Sequence, residues 1–537
     1  MQPFVKNVIL WVFQTQIAQY RRGVLRGYTK LKANNSLGII LDIKDEIERE
    51  LSHNYSFRMS RFLAPSTREI TGNVCRQNII KYVGGVALHK NIQNALSNGS
   101  TAFHILPPQL LDLVKKRNIP VNNIASILAW SGFVILFWLY GVAGITYKLL
   151  TPSFKNTGNS SNMKATYFFG LNTSHIPTPV SSQPQLNLVS WYIDSMATSR
   201  NIRQIFHECR SVPHSRYNGV SINYQRNSVL KITSLSGYIA YALWALGAIV
   251  ISLYYLIIGR WWAAFLLVEA SSFKLFELNT NKNPDNEYWF HHESFFYRPM
   301  WTYLAQQVGG HVSMYFYSTN NHPIVPRTQP YREMNYWKMM KWPSYVVWDN
   351  PQKKFIENNA QGDYDILVVD DLPFSDNGEP LPVLTSKAVV IFDVPPKRHY
   401  QVAAVPQLHE YVNKKNYRNF LKDVIYAAKQ NNLTVLIKTK KYQLKDQKHL
   451  HHLMAEIIEI YDKIIFIDPG ISAHRVIEHS DLCVSFPYTS TGIIAKNAGK
   501  PVCYYDAESI IEDALNDRGI PVYSDASSLT EWMKQST

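Results

Sequence analysis

Two stretches of this chain carry no charge at all. One runs from Asn118 to Tyr147 and the other from Ile232 to Gly259, with Arg260-Trp261-Trp262 directly after the second. Each is long enough for a membrane helix of about 20 residues. A pair of buried core helices would give the same pattern, but the aromatic rims and missing charge favour membrane contact. Residues 1–100 read mainly as helix, with polar breaks near Asn34-Asn35 and Ser97-Asn98-Gly99. Around the long runs, shorter apolar segments read as strands: Phe103–Leu106, Thr166–Gly170, Val312–Tyr317, Ser344–Trp348 and Asp365–Val369. The segment NLVSWYI at 187–193 also looks strand-like, and Pro299–Val308 reads as a helix opened by its proline.

Beyond a polar stretch at Asp376–Pro380 the pattern is cleaner. Strands are expected at Ala388–Asp393, Thr434–Lys438, Lys463–Ile467, Asp481–Phe486 and Pro501–Tyr505. Helical periodicity lies between them at Tyr417–Lys429, Lys445–Tyr461, Ala473–His479 and Thr491–Ala498. This βαβ alternation predicts a doubly wound parallel sheet. The expected fold class is α/β, with two Rossmann-like domains (residues 101–375 and 385–537) facing a cleft. A helical region, residues 1–100, precedes them, and membrane-associated apolar helices near 121–147 and 234–266 are inserted in the first domain. No GxGxxG or GxxxxGK[ST] sequence occurs, so neither a dinucleotide fingerprint nor a P-loop is supported.

Charge narrows the partners. The 537 residues carry 55 basic and 40 acidic side chains, a net +15 that fits an anionic partner. High aromatic content near the apolar runs favours lipid, and no nucleic-acid-binding signature is present. The four cysteines are scattered without a CxxC pair, which indicates neither a disulfide framework nor a metal site. The segment 151–235 between the apolar runs is basic, with Lys155, Lys164, Arg200, Arg203, Arg210, Arg216, Arg226 and Lys231 against Asp194 and Glu208. A spanning hairpin would export either this segment or the basic N-terminal region, against the positive-inside tendency. Helices that dip into one leaflet and return, with the soluble parts on the cytoplasmic side, fit better. A two-span hairpin is the second choice.

The most telling chemistry lies at 481–506, DLCVSFPYTSTGIIAKNAGKPVCYYD. An apolar run ends at Phe486-Pro487. Tyr488, Thr489, Ser490 and Thr491 follow, then Gly492 and a helical pattern. Ligands of open parallel sheets bind beyond the carboxyl ends of strands, and a helix start there suits a phosphate. An ordinary hydroxyl cap is the alternative for any one of these residues.

With those residues in view, the chain resembles the polysaccharide biosynthesis PFTS motif proteins. Phe486-Pro487-Tyr488-Thr489-Ser490-Thr491 is similar to their signature, with Tyr488 in place of its Phe. The segments IDPGISAHRVIEHSD at 467–481 and RPMWTYLAQQVGGHVSMYFYSTN at 298–320 resemble further family blocks, as does GRWW at 259–262. The likeness covers roughly residues 100–515. It implies a GT-B-like glycosyltransferase of bacterial surface polysaccharide assembly, acting on lipopolysaccharide O-antigen or capsule. It is more distantly similar to sialyl- and Kdo-transferases, which use CMP-activated sugars.

Candidate roles follow. In a GT-B enzyme the C-terminal domain usually holds the nucleotide-sugar donor. Lys438 and Lys440 resemble the basic segment near the donor phosphate, where a cation neutralises the leaving group; a solvated basic loop is the alternative. Gly470 and Ser472, at a strand-to-helix turn, could hold base or ribose, and Glu478 could bind ribose hydroxyls. With Pro487, Tyr488, Thr489, Ser490 and Thr491 they complete the expected donor site. An inverting transferase also needs a general base at the cleft. Asp371 and Asp370 end one strand and Asp393 another, with Asp371 preferred; Glu293 with His291-His292 is a further candidate. Asp363-Tyr364-Asp365 has the spacing of a metal-binding Asp pair but precedes its strand, so it reads as a turn. His449, His451 and His452 read as a solvated helical face. No metal or other cofactor is expected. The expected partners are a nucleotide-activated sugar, a lipid-linked glycan acceptor and membrane lipids, without nucleic acid, at the cytoplasmic face of the bacterial inner membrane. The rival reading is a non-catalytic, GT-B-shaped membrane scaffold that binds glycan or a partner enzyme.

Overall fold

The computed structural model describes residues 2–34, 36, 38–53, 61–63, 67–83, 86–98, 101–153, 164–177, 187–197, 199–212, 214–225, 229–279, 285–295, 297–319, 325, 327, 337, 340–394, 396, 411–439, 456, 459, 461–512 and 518–537. Lys440, the helix expected at Lys445–Tyr461 for most of its length, and His449, His451 and His452 lie outside the described residues.

Four helices open the chain: α1 (Gln2–Ala33), α2 (Gly38–His53), α3 (Arg68–Val83) and α4 (Val86–Asn98). The strand expected at Phe103–Leu106 does not form. Ala102 alone bridges to Val121, and Pro108 starts α5 (Pro108–Lys115), since proline has no N–H to give a ladder. Next comes α6 (Asn123–Leu150), whose first turn is capped by the Asn122 side chain accepting from Ala125 N.

The chain then builds half of a sheet: β1 (Ala165–Phe169), α7 (Leu188–Tyr192), β2 (Gln204–His207), β3 (Ser215–Tyr217) and β4 (Val220–Tyr224). The strand-like NLVSWYI is therefore helical. The Asn187 side chain caps it by accepting from Ser190 N, and Leu188, Val189 and Tyr192 are buried in the domain core. The apolar pair α8 (Leu235–Ile257) and α9 (Trp262–Glu277) follows, and then β5 (Glu287–His291), α10 (Trp301–Gln307), β6 (His311–Tyr315), β7 (Ser344–Val347), α11 (Asn350–Asn359) and β8 (Asp365–Val368).

Helices α6 and α8 each bury one stripe. On α6 it is Ser126, Trp130, Val134, Gly141 and Ile145; on α8 it is Tyr241, Trp244, Ala245, Ala248 and Ser252. The opposite faces leave Leu128, Leu136, Tyr140, Leu243, Leu246, Val250 and Ile257 exposed. The two run antiparallel, with Trp138 Nε1 donating to Ser252 Oγ at 2.8 Å. Helix α9 is buried for most of its length beneath them, and a Cβ on Gly141 would meet Leu267 at 3.0 Å. By length and composition both α6 and α8 could cross a membrane.

The second domain comprises β9 (Ala388–Phe392), α12 (Lys414–Gln430), β10 (Thr434–Lys438), β11 (Ile464–Ile467), α13 (Ala473–His479), β12 (Leu482–Ser485), α14 (Ser490–Asn497), β13 (Val502–Tyr505), β14 (Val522–Tyr523) and α15 (Ala526–Ser536). Its sheet is parallel throughout, in the order β11-β10-β9-β12-β13-β14. The first sheet has the order β3-β4-β2-β1-β5-β6-β7-β8, and only β3 runs antiparallel. Winding reverses once in each sheet, between β1 and β5 and between β9 and β12. The two carboxyl edges meet, because segments following β6, β7 and β8 bond to segments of the second domain that follow β11, β12 and β13. This is the α/β, GT-B-like class expected from the sequence.

At the amino edge of the first sheet, Glu287 is buried and accepts from Tyr192 OH and Arg200 Nη1, both at 2.9 Å, and from Trp289 Nε1 at 3.2 Å. Lys164 lies 3.7 Å away. This carboxylate sits at the wrong edge for ligand chemistry and joins β5 to the helical layer. Glu287→Ala should destabilise this domain by on the order of 3 kcal/mol, because it strands buried donors. A urea titration read by tryptophan fluorescence tests this; a midpoint matching wild type would show the network to be dispensable.

Candidate functional site

In a doubly wound sheet the crevice lies at the carboxyl ends where winding reverses. In the second domain the reversal places the turn 486–491 directly after β12, beside β9. The register sets Lys438 of β10 and Ser485 of β12 abreast of Phe392 of β9. With neighbouring strands about 4.8 Å apart, their backbones lie roughly 10 Å from each other.

Lys438 is buried, and its Nζ donates to the Pro469 carbonyl at 3.1 Å. No carboxylate lies within ion-pair distance of it among the described residues. Burial pulls its ammonium down to about 8, while the fields of Asp468, Asp393 and Asp376 favour the charge. Asp393 is buried and accepts from Tyr417 OH at 2.6 Å.

The turn itself is strained. Tyr488 has φ +59°, a left-handed value rare for a bulky residue. Pro487 and Tyr488 are buried, and the Tyr488 ring packs edge-on against Tyr504 at 5.6 Å. Gly492 leaves room for that tyrosine, since a Cβ there would lie 2.5 Å from the Tyr504 ring. The hydroxyls are engaged. Thr489 Oγ1 donates to the Phe486 carbonyl at 2.9 Å and lies 3.0 Å from Thr491 Oγ1, which is also 3.1 Å from Ser485 Oγ. Ser490 Oγ accepts from Thr319 N at 3.0 Å and lies 3.1 Å from Thr319 Oγ1. That pair crosses the domain seam.

Other expected residues sit nearby with different partners. Gly470 N donates to Asp468 Oδ1 at 2.7 Å, and the Gly470 carbonyl accepts from Asn377 N of the linker at 2.9 Å. Ser472 caps α13, and its N and Oγ bond to Asp376 Oδ1 and the Phe374 carbonyl at 2.7 and 3.0 Å. Both residues thus hold the interdomain linker to the second domain. Glu478 is exposed on α13. Asp370 is exposed with φ +63°. Asp371 receives His474 Nε2 at 2.6 Å and Asn497 Nδ2 at 2.7 Å, one on each oxygen. Burial would raise this carboxyl, but those two hydrogen bonds hold it below the usual carboxylate range. It is a clamp between the domains. Arg518 adds a second one, donating from Nε to Asp349 Oδ2 at 2.7 Å.

The reversal point of the first sheet carries a cluster that local sequence only hinted at. His291 ends β5, His292 follows it directly, and His175 follows β1. The His175 and His291 rings stack at 5.6 Å, and Tyr317 lies 4.4 Å from His175. Three backbone N–H groups fix these rings: Asn172 N donates to His175 Nδ1 at 3.3 Å, Glu293 N to His291 Nδ1 at 3.2 Å and Tyr317 N to His292 Nδ1 at 3.3 Å. A ring nitrogen that accepts carries no proton, so each imidazole holds its proton on Nε2. Burial keeps all three neutral: His175 and His292 fall to about 3, each helped by the neighbouring His291, which is itself lowered. They are hydrogen-bond donors, not bases. Glu293, directly after them, is exposed. The His-His-Glu triplet was visible in the sequence; His175 and Thr319 gave no signal, because only the tertiary fold brings them in. Among the described residues, no three His, Cys, Asp or Glu side chains are grouped to hold a metal ion.

Residues 244–533, from within α8 to near the end of the chain, match the model of a family described as polysaccharide biosynthesis PFTS motif protein. The chain belongs to that family. The matched span includes the turn 486–491. No curated protein matches the chain. Among solved structures, TarM is 14% identical over 49% of this chain and 51% of its own, with a TM-score of 0.30. The PFTS protein thus spans about half the length of that structure. A protein described as a UDP-N-acetylglucosamine 2-epimerase, from Listeria monocytogenes, is 9% identical over 70% of this chain and 88% of its own, with a TM-score of 0.28.

The Asp371 clamp has a measurable consequence. Asp371→Ala should speed amide exchange across Ala473–His479 by about ten-fold, as expected when a charge-assisted pair of hydrogen bonds is lost. Unchanged exchange there would mean that the clamp does not hold the domains.

Proposed function

We propose that this protein is a membrane-docked, inverting glycosyltransferase of bacterial surface polysaccharide assembly. It moves a sugar from a nucleotide donor in the second domain to an acceptor hydroxyl in the first. The observation that carries this reading is the meeting of two winding-reversal crevices across one seam, one holding a buried ammonium and the other ordered neutral donors. The PFTS family's link to polysaccharide biosynthesis supports it.

In the proposed step, Glu293 accepts the proton of the acceptor hydroxyl and that oxygen attacks the anomeric carbon. The bond to the donor phosphate breaks, and the phosphate leaves with the electron pair. Lys438 meets the charge that develops on it. His175 and His291 donate to acceptor hydroxyls and orient them. We assign the base to Glu293 because each Asp371 oxygen already accepts a hydrogen bond and Asp393 is buried against Tyr417. In this reading Lys438 supplies the charge that a divalent cation would otherwise bring, and the step needs no metal. A single buried ammonium suits a donor with one phosphate, which favours a CMP-linked sugar over a diphosphate-linked one. Membrane docking is supported by α6 and α8, which each bury one stripe and turn a long apolar face outward. That asymmetry fits one-sided insertion on the cytoplasmic face, where lipid-linked glycan would meet the cleft.

One observation favours the non-catalytic scaffold: the motif hydroxyls are satisfied within the protein and across the seam. Slow release of nucleotide from a CMP-sugar without acceptor separates the two readings, since a scaffold would release none.

Glu293→Gln should lower transfer by roughly 10²–10⁴-fold while donor affinity persists. Near-normal transfer would remove Glu293 from the base role. Donor binding should also depend on pH through Lys438. Its ammonium is charged below about 8 and loses its proton above. Affinity should therefore hold below pH 8 and weaken by up to ten-fold per unit above it, well before an ordinary lysine would titrate. Calorimetry from pH 7 to 9.5, with Lys438→Arg expected to stay flat, measures this. A flat wild-type profile would exclude Lys438 as the phosphate partner.

A further inference from the structure

At the end of α6 the chain turns into the first sheet, and just before α8 it returns. A pocket of about 170 Å³ opens between these two crossings. That is room for roughly five waters at about 30 Å³ each, enough for a phosphate-sized anion. Lys148, Lys231, Thr151, Ser153 and Tyr147 line it. Lys148 Nζ donates to Ser271 Oγ at 2.9 Å and Ser272 Oγ at 3.3 Å, both neutral groups. Burial holds the Lys231 ammonium below the usual lysine range. Neither lysine has a carboxylate within ion-pair distance among the described residues. The buried Glu269 carboxylate acts on Lys148 from beyond ion-pair distance and is shared with Lys81, while burial alone acts on Lys231, so an anion between the two lysines would offset the cost of burying them. The pocket rim continues into the exposed apolar face: Tyr147, Leu150, Leu235 and Ile239 are 40%, 76%, 67% and 53% exposed.

We propose that this pocket binds the phosphate of an anionic phospholipid in the bilayer on which α6 and α8 rest. The occupant is set by charge and by place. The cations ask for an anion, and the surrounding apolar slope asks that the anion carry acyl chains. The inference rests on the membrane-docked reading above. It gives the docked protein a fixed depth, with the ends of α6 and α8 held at headgroup level.

The test is flotation of the full chain with vesicles of phosphatidylcholine alone and of phosphatidylcholine mixed with phosphatidylglycerol, each at 0.1 and 0.5 M NaCl. Wild type should bind neutral vesicles through its apolar face and anionic ones more tightly. Part of that preference should survive high salt, because a pocket is screened less than an open surface. Lys148→Gln with Lys231→Gln should cut the preference by roughly five-fold per lysine while leaving neutral binding unchanged. Lys354→Gln with Lys534→Gln, exposed elsewhere, should not. Lys231→Gln alone guards against a packing defect from Lys148, and Lys231→Arg should restore binding. A pocket variant that keeps the high-salt preference would overturn the proposal, and so would a wild type that binds both vesicles equally; docking itself would then stand. Binding to neither vesicle would remove docking and pocket together. Protection of Lys231 from an amine reagent by inorganic phosphate alone, as strong as by vesicles, would make this a soluble-anion site and overturn the lipid assignment.

Discussion

The Ser490 hydroxyl accepts from the Thr319 backbone and meets the Thr319 hydroxyl across the seam. The arrangement of everything else near the site follows from that join. Parallel strands put all their carboxyl ends at one edge, so each sheet has one edge for chemistry. The join holds those two edges face to face. Around it lie the Asp371 clamp, the Arg518–Asp349 pair and the Phe374 ring, which packs at 5.3 Å on Tyr317 and at 5.8 Å on both Trp348 and His474. Most of these contacts are polar, and a single hydrogen bond is worth only about 1 kcal/mol net. The seam is thus far weaker than the sheets it joins, as the proposed transfer between domains would require.

Burial gives the two edges opposite electrical characters. On the first sheet it neutralises histidines that already accept backbone N–H bonds at Nδ1, which leaves fixed Nε2 donors without charge. On the second it crowds a lysine toward its neutral form, and only the fields of three aspartates favour its charge. On the function proposed above, the same desolvation that would be a defect in a core would suit one edge to neutral hydroxyls and the other to a group that brings its own negative charge.

The second domain was largely legible because its central strands β9, β10, β12 and β13 are buried on both faces. Such strands read as unbroken apolar runs; strand Thr434–Lys438 and helix Ala473–His479 have the expected bounds. The first domain was less so. Strand β5 mixes Glu287 and His291 with three aromatics, and its buried carboxylate is paid for by Arg200, far away in sequence. Strands β2 and β3, of four and three residues, are too short to show a period. The residues 187–193 carry β-favouring side chains, yet the Asn187 cap and core packing make them helical. At the site, residue types at strand ends could be read from sequence, but their partners could not. Asp371 was expected to end its strand but lies in the segment beyond β8, which stops at Val368, and only the folded chain brings His474 and Asn497 onto its two oxygens.

The apolar layer is not appended to this architecture. In the first sheet, β1 and β5 are neighbours, but β2, β3, β4, α8 and α9 lie between them in the chain. The step that reverses the winding therefore runs through the apolar hairpin. Helix α9 closes that step by packing on the sheet, with Phe276 against Trp301 at 5.1 Å and against Tyr288 at 6.1 Å. Helix α6, likewise, leads into β1. The two strands that create the histidine crevice are thus the two that apolar helices feed. A surface that held α6 and α8 would fix the direction of β1 and β5, and so aim the crevice between them. Cutting the helices out would not free a soluble enzyme, because it would remove the crossover that makes the crevice.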